Sequence, residues 1–160
     1  MAVDISRLMI SIIISQVISI VGSVIYGKFS DSWFINLKKP KMMLPGPAML
    51  IARVTIATVM GILFYIVWGS EYSPEKNVLM ILLIALMFTG ILSPYFLLIR
   101  KSPALSSITL VISLVIGIVS TALSYEISNT AAYLSASFVI WILYLIVITI
   151  DTAIVNKNRA

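Results

Sequence analysis

The sequence predicts an all-α integral membrane protein, a bundle of five transmembrane helices with a long structured loop between helices 1 and 2. Of its 160 residues, 61% are hydrophobic and only 11% are charged, whereas soluble domains carry about 25% charged residues. Five apolar segments reach the ~20 residues that cross about 30 Å of hydrocarbon. They are apolar on all sides, without the period-two alternation of a membrane β-barrel. We therefore expect one membrane domain over residues 1–160.

The five segments follow one another closely along the chain. They are residues 8–26, 47–68, 78–99, 104–125 and 131–155. The links after the second segment are short, and short links make neighbouring helices antiparallel. The loop at 27–46 is much the longest link and holds four of the eleven Lys and Arg residues. Arg7 is the only basic residue before the first segment, and that segment is longer than the apolar core of a signal peptide. We therefore interpret it as a retained helix and not as a cleaved signal peptide.

The basic residues predict the orientation in the membrane. Five spans place the N-terminus on one side, and the 27–46 loop and the C-terminus on the other. With Arg53 left out as intramembrane, the first side carries only Arg7 and Lys76, and the second side carries the remaining basic residues. Cytoplasmic segments are the ones enriched in Lys and Arg. We predict an external N-terminus, a cytoplasmic loop and C-terminus, and no nucleic-acid partner.

The composition argues against catalysis. There is no cysteine and no histidine, which removes thiolate chemistry and the usual general base near neutral pH. The spans contain no paired carboxylates, and the chain has no glycine-rich phosphate loop and no HExxH sequence. No catalytic residue, metal site or cofactor is predicted, and we do not expect an enzyme.

Small residues recur every fourth position along the first predicted helix, at Ser11, Ser15, Ser19 and Ser23. Small side chains let helix backbones approach closely in lipid. Two hypotheses follow: the stripe packs inside one bundle, or it forms the seam of a homodimer.

Arg53 is the cation inside a predicted span, and an intramembrane charge is a functional candidate by default. It lies seven residues into the second segment, roughly 10 Å at 1.5 Å per residue. One hypothesis is that its side chain extends to anionic lipid headgroups. The other is that it faces a cavity and binds a carboxylate of a ligand. Pro94 should kink the third helix or loosen its last turn, and Phe88, Trp141 and Tyr144 could line a cavity there or serve only in packing.

The loop carries a recognisable motif, Trp33-Phe34-x-x-Leu37-x-Lys39-Pro40 followed by Pro45. It resembles the W-Y-x-x-L-x-K-P-x-W-x-P-P pattern of the TspO/translocator protein family. The resemblance implies five helices and a cavity, capped by the first loop, that binds porphyrins, sterols or benzodiazepine-type drugs. Some family positions differ: Met42 and Arg53 stand where the family has tryptophan, and Thr89-Gly90-Ile91-Leu92-Ser93-Pro94 replaces N-W-x-W-P-P. Since porphyrin breakdown in the family is ascribed to tryptophans, we do not expect that activity.

These observations lead to one principal hypothesis, a membrane-embedded binding protein for a hydrophobic small molecule, either a tetrapyrrole or a sterol-like lipid. The residues expected at the ligand are Trp33, Pro40, Pro45, Arg53, Phe88, Trp141 and Tyr144. The alternatives are a small-molecule transporter or channel-like carrier, as a monomer or a homodimer, and an assembly partner of another membrane protein.

Overall fold

All five predicted helices are present in the computed structural model, which describes residues 4–29 and 36–156. The helices are α1 (Ile5–Phe29), α2 (Gly46–Gly69), α3 (Pro74–Pro94), α4 (Pro103–Ile127) and α5 (Asn129–Val155). α3 continues directly into a π-helical turn, Tyr95–Ile99. All five helices are long and apolar enough to cross a membrane, and these residues include no strand. The predicted all-helical, five-span fold is confirmed.

The helices extend beyond the predicted segments because their polar ends are helical too. α3 begins at Pro74, where the Ser73 hydroxyl accepts a hydrogen bond from the Lys76 amide at 3.1 Å. A serine cap followed by proline at the first helical position is a favourable helix start. Ser128 caps α5 in the same way and is the only residue between α4 and α5. α1 continues to Phe29, so the predicted start of the loop at residue 27 is wrong.

The helices are arranged in a closed ring. α1 packs against α2, α2 against α5, α5 against α4, α4 against α3, and α3 against α1. α2 also contacts α3 across the ring. This order means that all five helices can contribute side chains to the interior.

At the seam between α1 and α2, Gly61 lets the two helix backbones approach each other closely. A Cβ atom added to Gly61 would lie 2.7 Å from the Cα atom of Ile12. One turn further, the Gln16 side-chain amide donates to the Val54 carbonyl at 3.1 Å and to the Thr58 hydroxyl at 2.8 Å. Lipid offers no competing partner for such a group, so this amide links the two helices within the membrane.

Small and hydroxylated residues also join the other helices. The hydroxyls of Ser93 on α3 and Ser106 on α4 lie 2.9 Å apart, as do those of Thr121 on α4 and Ser135 on α5. The first two serines of the small-residue stripe on α1 lie inside the bundle: Ser11 is 0% exposed and Ser15 is 4% exposed. The stripe therefore packs inside the bundle at Ser11 and Ser15, and the homodimer stays a prediction.

The half of the bundle away from the loop is filled by large side chains. Leu63, Val67, Leu79 and Leu83 are completely buried. At the same end the Arg7 guanidinium lies 5.5 Å from the centre of the Trp68 ring, and the Lys76 ammonium donates to the Trp68 carbonyl at 3.0 Å. The remaining space in the interior is thus concentrated in the loop half.

Gly61→Ala should destabilise the protein, because the new methyl group would force the α1 and α2 backbones apart. Overpacking of this kind costs typically about 1–3 kcal/mol. The measurement is the thermal unfolding midpoint in detergent, with Gly90→Ala as the matched control. A Cβ atom at Gly90 would meet nothing within 4 Å, so that variant should unfold like the unchanged protein. Equal midpoints for the two variants would contradict the packing described for the seam.

Candidate functional site

A cavity of about 160 Å³ lies inside the ring, in the loop half of the bundle. We call it the inner cavity, and all five helices line it. Its lining includes Ser15, Ser19 and Gly22 of α1, Arg53, Ala57 and Met60 of α2, Leu86, Met87 and Gly90 of α3, Leu110 and Ser113 of α4, and Phe138, Trp141, Ile142 and Thr149 of α5. A site with contributions from every helix depends on the whole fold.

The hydroxyl groups in the wall are largely engaged within the protein. Ser15 donates to the Ser11 carbonyl at 3.1 Å, Ser113 to the Thr109 carbonyl at 2.8 Å, and Thr149 to the Leu145 carbonyl at 2.8 Å. Their hydrogens are therefore already used, and they offer a ligand acceptor lone pairs more readily than donors. The inner cavity is accordingly less polar than its number of hydroxyls suggests.

Arg53 is the one charged residue among the described residues that line the inner cavity. It is half-buried, and it also lines two further spaces. One is a small cavity of about 40 Å³ beside α5. The other, which we call the loop-side groove, has about 440 Å³ and is walled by Lys39, Met43, Leu44, Pro45 and the first turns of α2. Arg53 thus contributes to the walls of an interior space and of a surface groove, and both hypotheses for its side chain have a structural basis.

The α3 backbone is irregular where it borders the inner cavity. Pro94 has no N–H to donate to the carbonyl of Gly90, four residues earlier. The next amide, that of Tyr95, donates to the Ile91 carbonyl and also to the Leu92 carbonyl, and the helix then widens into the π-helical turn. Gly90 itself is exposed and has open space where a side chain would project. The predicted loosening of the last turn is confirmed by the change from α-helix to π-helix after Pro94.

Tyr144 of α5 and Asn156, the residue that directly follows α5, hold the described part of the loop by its backbone. The Asn156 amide accepts from the Lys38 N–H at 2.9 Å and donates to the Lys38 carbonyl at 3.0 Å. The Tyr144 hydroxyl accepts from the Leu44 N–H at 3.0 Å and donates to the Met42 carbonyl at 3.3 Å. Both residues therefore fix the loop over the end of the bundle whatever side chains the loop carries.

The structure brings together some of the predicted ligand residues. Arg53 and Trp141 line the inner cavity, and Pro40 and Pro45 line the loop-side groove. Tyr144 anchors the loop, and its ring stacks on Trp141 at 5.3 Å between centroids. Phe88 does not join them: it is 62% exposed and is absent from the lining of the described cavities. Trp33 lies outside the described residues.

Sequence reasoning missed Asn156, Met60 and Met87. Asn156 is only 5% exposed, and the two methionines are buried in the cavity wall. An asparagine at the end of an apolar helix can indicate a contact with a loop, but the neighbouring sequence does not show which loop residue it contacts. A methionine in an apolar helix gives no such signal.

Comparison with known proteins gives one family match. The model described as the TspO/MBR family matches residues 11–154, a span that contains every residue of the inner cavity. No curated protein matches the chain significantly.

Asn156→Ala should loosen the loop, because the N–H and carbonyl of Lys38 would lose their partner. These hydrogen bonds are partly buried, and a typical intramolecular hydrogen bond contributes about 0.5–1.5 kcal/mol. We expect a lower thermal unfolding midpoint and faster tryptic cleavage at the loop lysines. Asn129→Ala, at an exposed asparagine that starts the same helix, is the control and should change neither quantity. Unchanged cleavage in Asn156→Ala would mean that the loop does not depend on this anchor.

Proposed function

The chain belongs to the TspO/MBR family of membrane proteins, and on that basis we propose that it binds a hydrophobic small molecule in the inner cavity. Membership implies membrane-bound binding of porphyrins or sterols, by proteins that are in general not enzymes. The observation that carries the proposal is a cavity walled by all five helices, where Arg53 is the one cation among the described lining residues and many of the others are apolar.

The wall chemistry selects an amphipathic ligand with an acidic group. Met60, Leu86 and Ile142 are buried apolar residues of the wall, and Trp141 adds an aromatic surface. A guanidinium pairs with a carboxylate through charge-assisted hydrogen bonds, which are stronger in a poorly hydrated site. The ligand would therefore place its apolar body among the helices and its acid at Arg53, towards the loop.

The cavity volume limits the ligand that fits without rearrangement. Sites for drug-sized ligands have about 300–1,000 Å³, and the inner cavity has about 160 Å³. A porphyrin would need the cavity to widen, whereas a narrower, sterol-like body needs less change. Met60 and Met87 are the wall residues best suited to such a change, because an unbranched thioether side chain adapts its shape readily.

The loop would act as the lid of the site. Pro40 and Pro45 shape its path, Tyr144 and Asn156 anchor it, and we place Trp33 in the lid from the family motif alone. Phe88 is left out of the proposed site because its side chain is largely exposed on α3. Gly90 enters the proposal instead, as a residue of the cavity wall with open space where a side chain would project.

A carrier is the second candidate function. The inner cavity and the loop-side groove share Arg53 in their walls, which is the geometry expected of a path between the interior and the surface. A flux assay in liposomes separates the two functions, because a pure binder moves no ligand.

We further infer that the loop end of the bundle faces the cytoplasm. Arg7 and Lys76 lie together at one end through their contacts with Trp68. Lys38 lies at the opposite end, bonded to Asn156. The loop end carries the larger share of basic residues, as cytoplasmic segments do.

Ligand binding can be followed through one tryptophan. In a Trp33→Phe, Trp68→Phe background, Trp141 is the remaining indole and lies in the cavity wall. We expect protoporphyrin IX to quench it saturably. Arg53→Gln should weaken that binding about tenfold or more, since hydrogen bonds to charged groups contribute about 1.5–3 kcal/mol, with less effect on an uncharged sterol.

Gly90→Leu supplies an independent test of the same site, because a leucine would occupy the cavity and should weaken both ligands. Phe88→Leu, on the exposed side of α3, is the control and should bind normally. Normal binding by both Arg53→Gln and Gly90→Leu would remove the inner cavity as the site.

The orientation is tested with single cysteines, since the chain has none. Lys41→Cys in the loop and Glu126→Cys at the end of α4 both replace exposed residues. A membrane-impermeant maleimide should label Glu126→Cys in intact cells and Lys41→Cys only after permeabilisation. The opposite pattern would reverse the proposed orientation.

A further inference from the structure

We propose that the loop-side groove binds one anionic phospholipid from the leaflet at the loop end of the bundle. This groove shares Arg53 with the inner cavity, and its other lining residues lie outside that cavity. The groove has about 440 Å³, which is larger than the inner cavity and within the range of pre-formed ligand sites.

The charge of the groove fits an anion. Lys39 and Arg53 line it, and its described lining residues include no acidic side chain. Ser23 of α1 adds a hydroxyl that already donates to the Ser19 carbonyl at 3.0 Å. Arginine and lysine are the side chains that commonly bind phosphate oxygens. The guanidinium forms two parallel hydrogen bonds, and the ammonium acts as a point charge.

The remaining wall of the groove is apolar and continuous with the lipid-facing surface of α2. Met43, Met49 and Leu50 line it, and Leu50 is 55% exposed. The next residue, Ile51, is 69% exposed and lies outside the groove. A phospholipid whose phosphate lies at the cations can therefore extend its acyl chains along α2 into the hydrocarbon.

The level of the two cations matches a headgroup. α2 begins at Gly46, so Arg53 lies roughly 10 Å further along the helix axis at 1.5 Å per residue. Lys39 belongs to the loop that precedes the helix. Arginine side chains near helix ends direct their charge towards the interface, and Lys39 and Arg53 line the same groove there. A soluble anion would satisfy the charges but would leave the apolar wall of the groove unused.

Native mass spectrometry of the full-length protein tests the proposal. The protein is released from nanodiscs of phosphatidylglycerol or of phosphatidylcholine with the same acyl chains. We expect one phosphatidylglycerol to be retained several-fold more than phosphatidylcholine. Lys39→Gln should reduce that preference several-fold, and Lys41→Gln, at an exposed lysine of the same loop that lines none of the described cavities, should leave it unchanged. Equal losses in the two variants would show general charge attraction and overturn the site.

The apolar wall is tested by a second matched pair. Leu50→Glu places an acid in the groove and should abolish retention, whereas Ile51→Glu, one residue away and outside the groove, should not. Glycerol 3-phosphate provides the soluble form of the anion. If it displaces phosphatidylglycerol at equal concentration, the acyl chains contribute nothing and the proposal of a lipid is overturned.

These outcomes are distinguishable from failure of the proposed function. Lys39 and Leu50 do not line the inner cavity, so quenching of Trp141 by protoporphyrin IX should persist in their variants. Lost lipid retention with normal quenching supports two separate sites. Loss of both in Lys39→Gln, with an unchanged unfolding midpoint, would mean one shared site and overturn the separate lipid site.

Discussion

The structure depends on the absence of hydrogen-bond partners in hydrocarbon. Each span must satisfy its own backbone, which a helix does. Many polar side chains find a partner in their own helix or in a neighbour, although the buried hydroxyls of Ser120 and Ser124 have none. Gln16 bonds across the α1–α2 seam, and Thr121 meets Ser135 between α4 and α5. Pro94 is the exception that matters for function, because it removes one backbone hydrogen bond at the wall of the inner cavity.

The same constraint explains how space is distributed in the bundle. In lipid there is no hydrophobic driving force between helices, so close dispersion contacts hold them together. A bundle that also contains a cavity must therefore pack tightly in one part and loosely in another. Buried leucines such as Leu63 and Leu79 fill the end away from the loop. Two glycines show the contrast: Gly61 permits backbone contact with Ile12, whereas Gly90 leaves open space beside the inner cavity. One residue type therefore closes the bundle at one place and opens it at another.

The loop is attached in a way that leaves its side chains available. Asn156 and Tyr144 bond to backbone groups of the loop, so Lys39 and the prolines need not serve as anchors and can line the groove instead. Arg53 connects the two spaces, because it lines both the inner cavity and the loop-side groove. Its side chain thus borders both the interior of the bundle and its surface.

The sequence alone determined the number of spans, the family and the intramembrane cation. These depend on local properties: the length of an apolar run, the spacing of a loop motif and the cost of a charge in lipid. It did not determine which side of each helix faces inward, because in a membrane bundle both the lipid-facing and the core-facing residues are apolar. Only the tertiary structure placed Trp141 in the cavity wall and Phe88 outside. The pairing of Asn156 with Lys38, separated by 118 positions in the chain, likewise required the folded arrangement of the loop over α5.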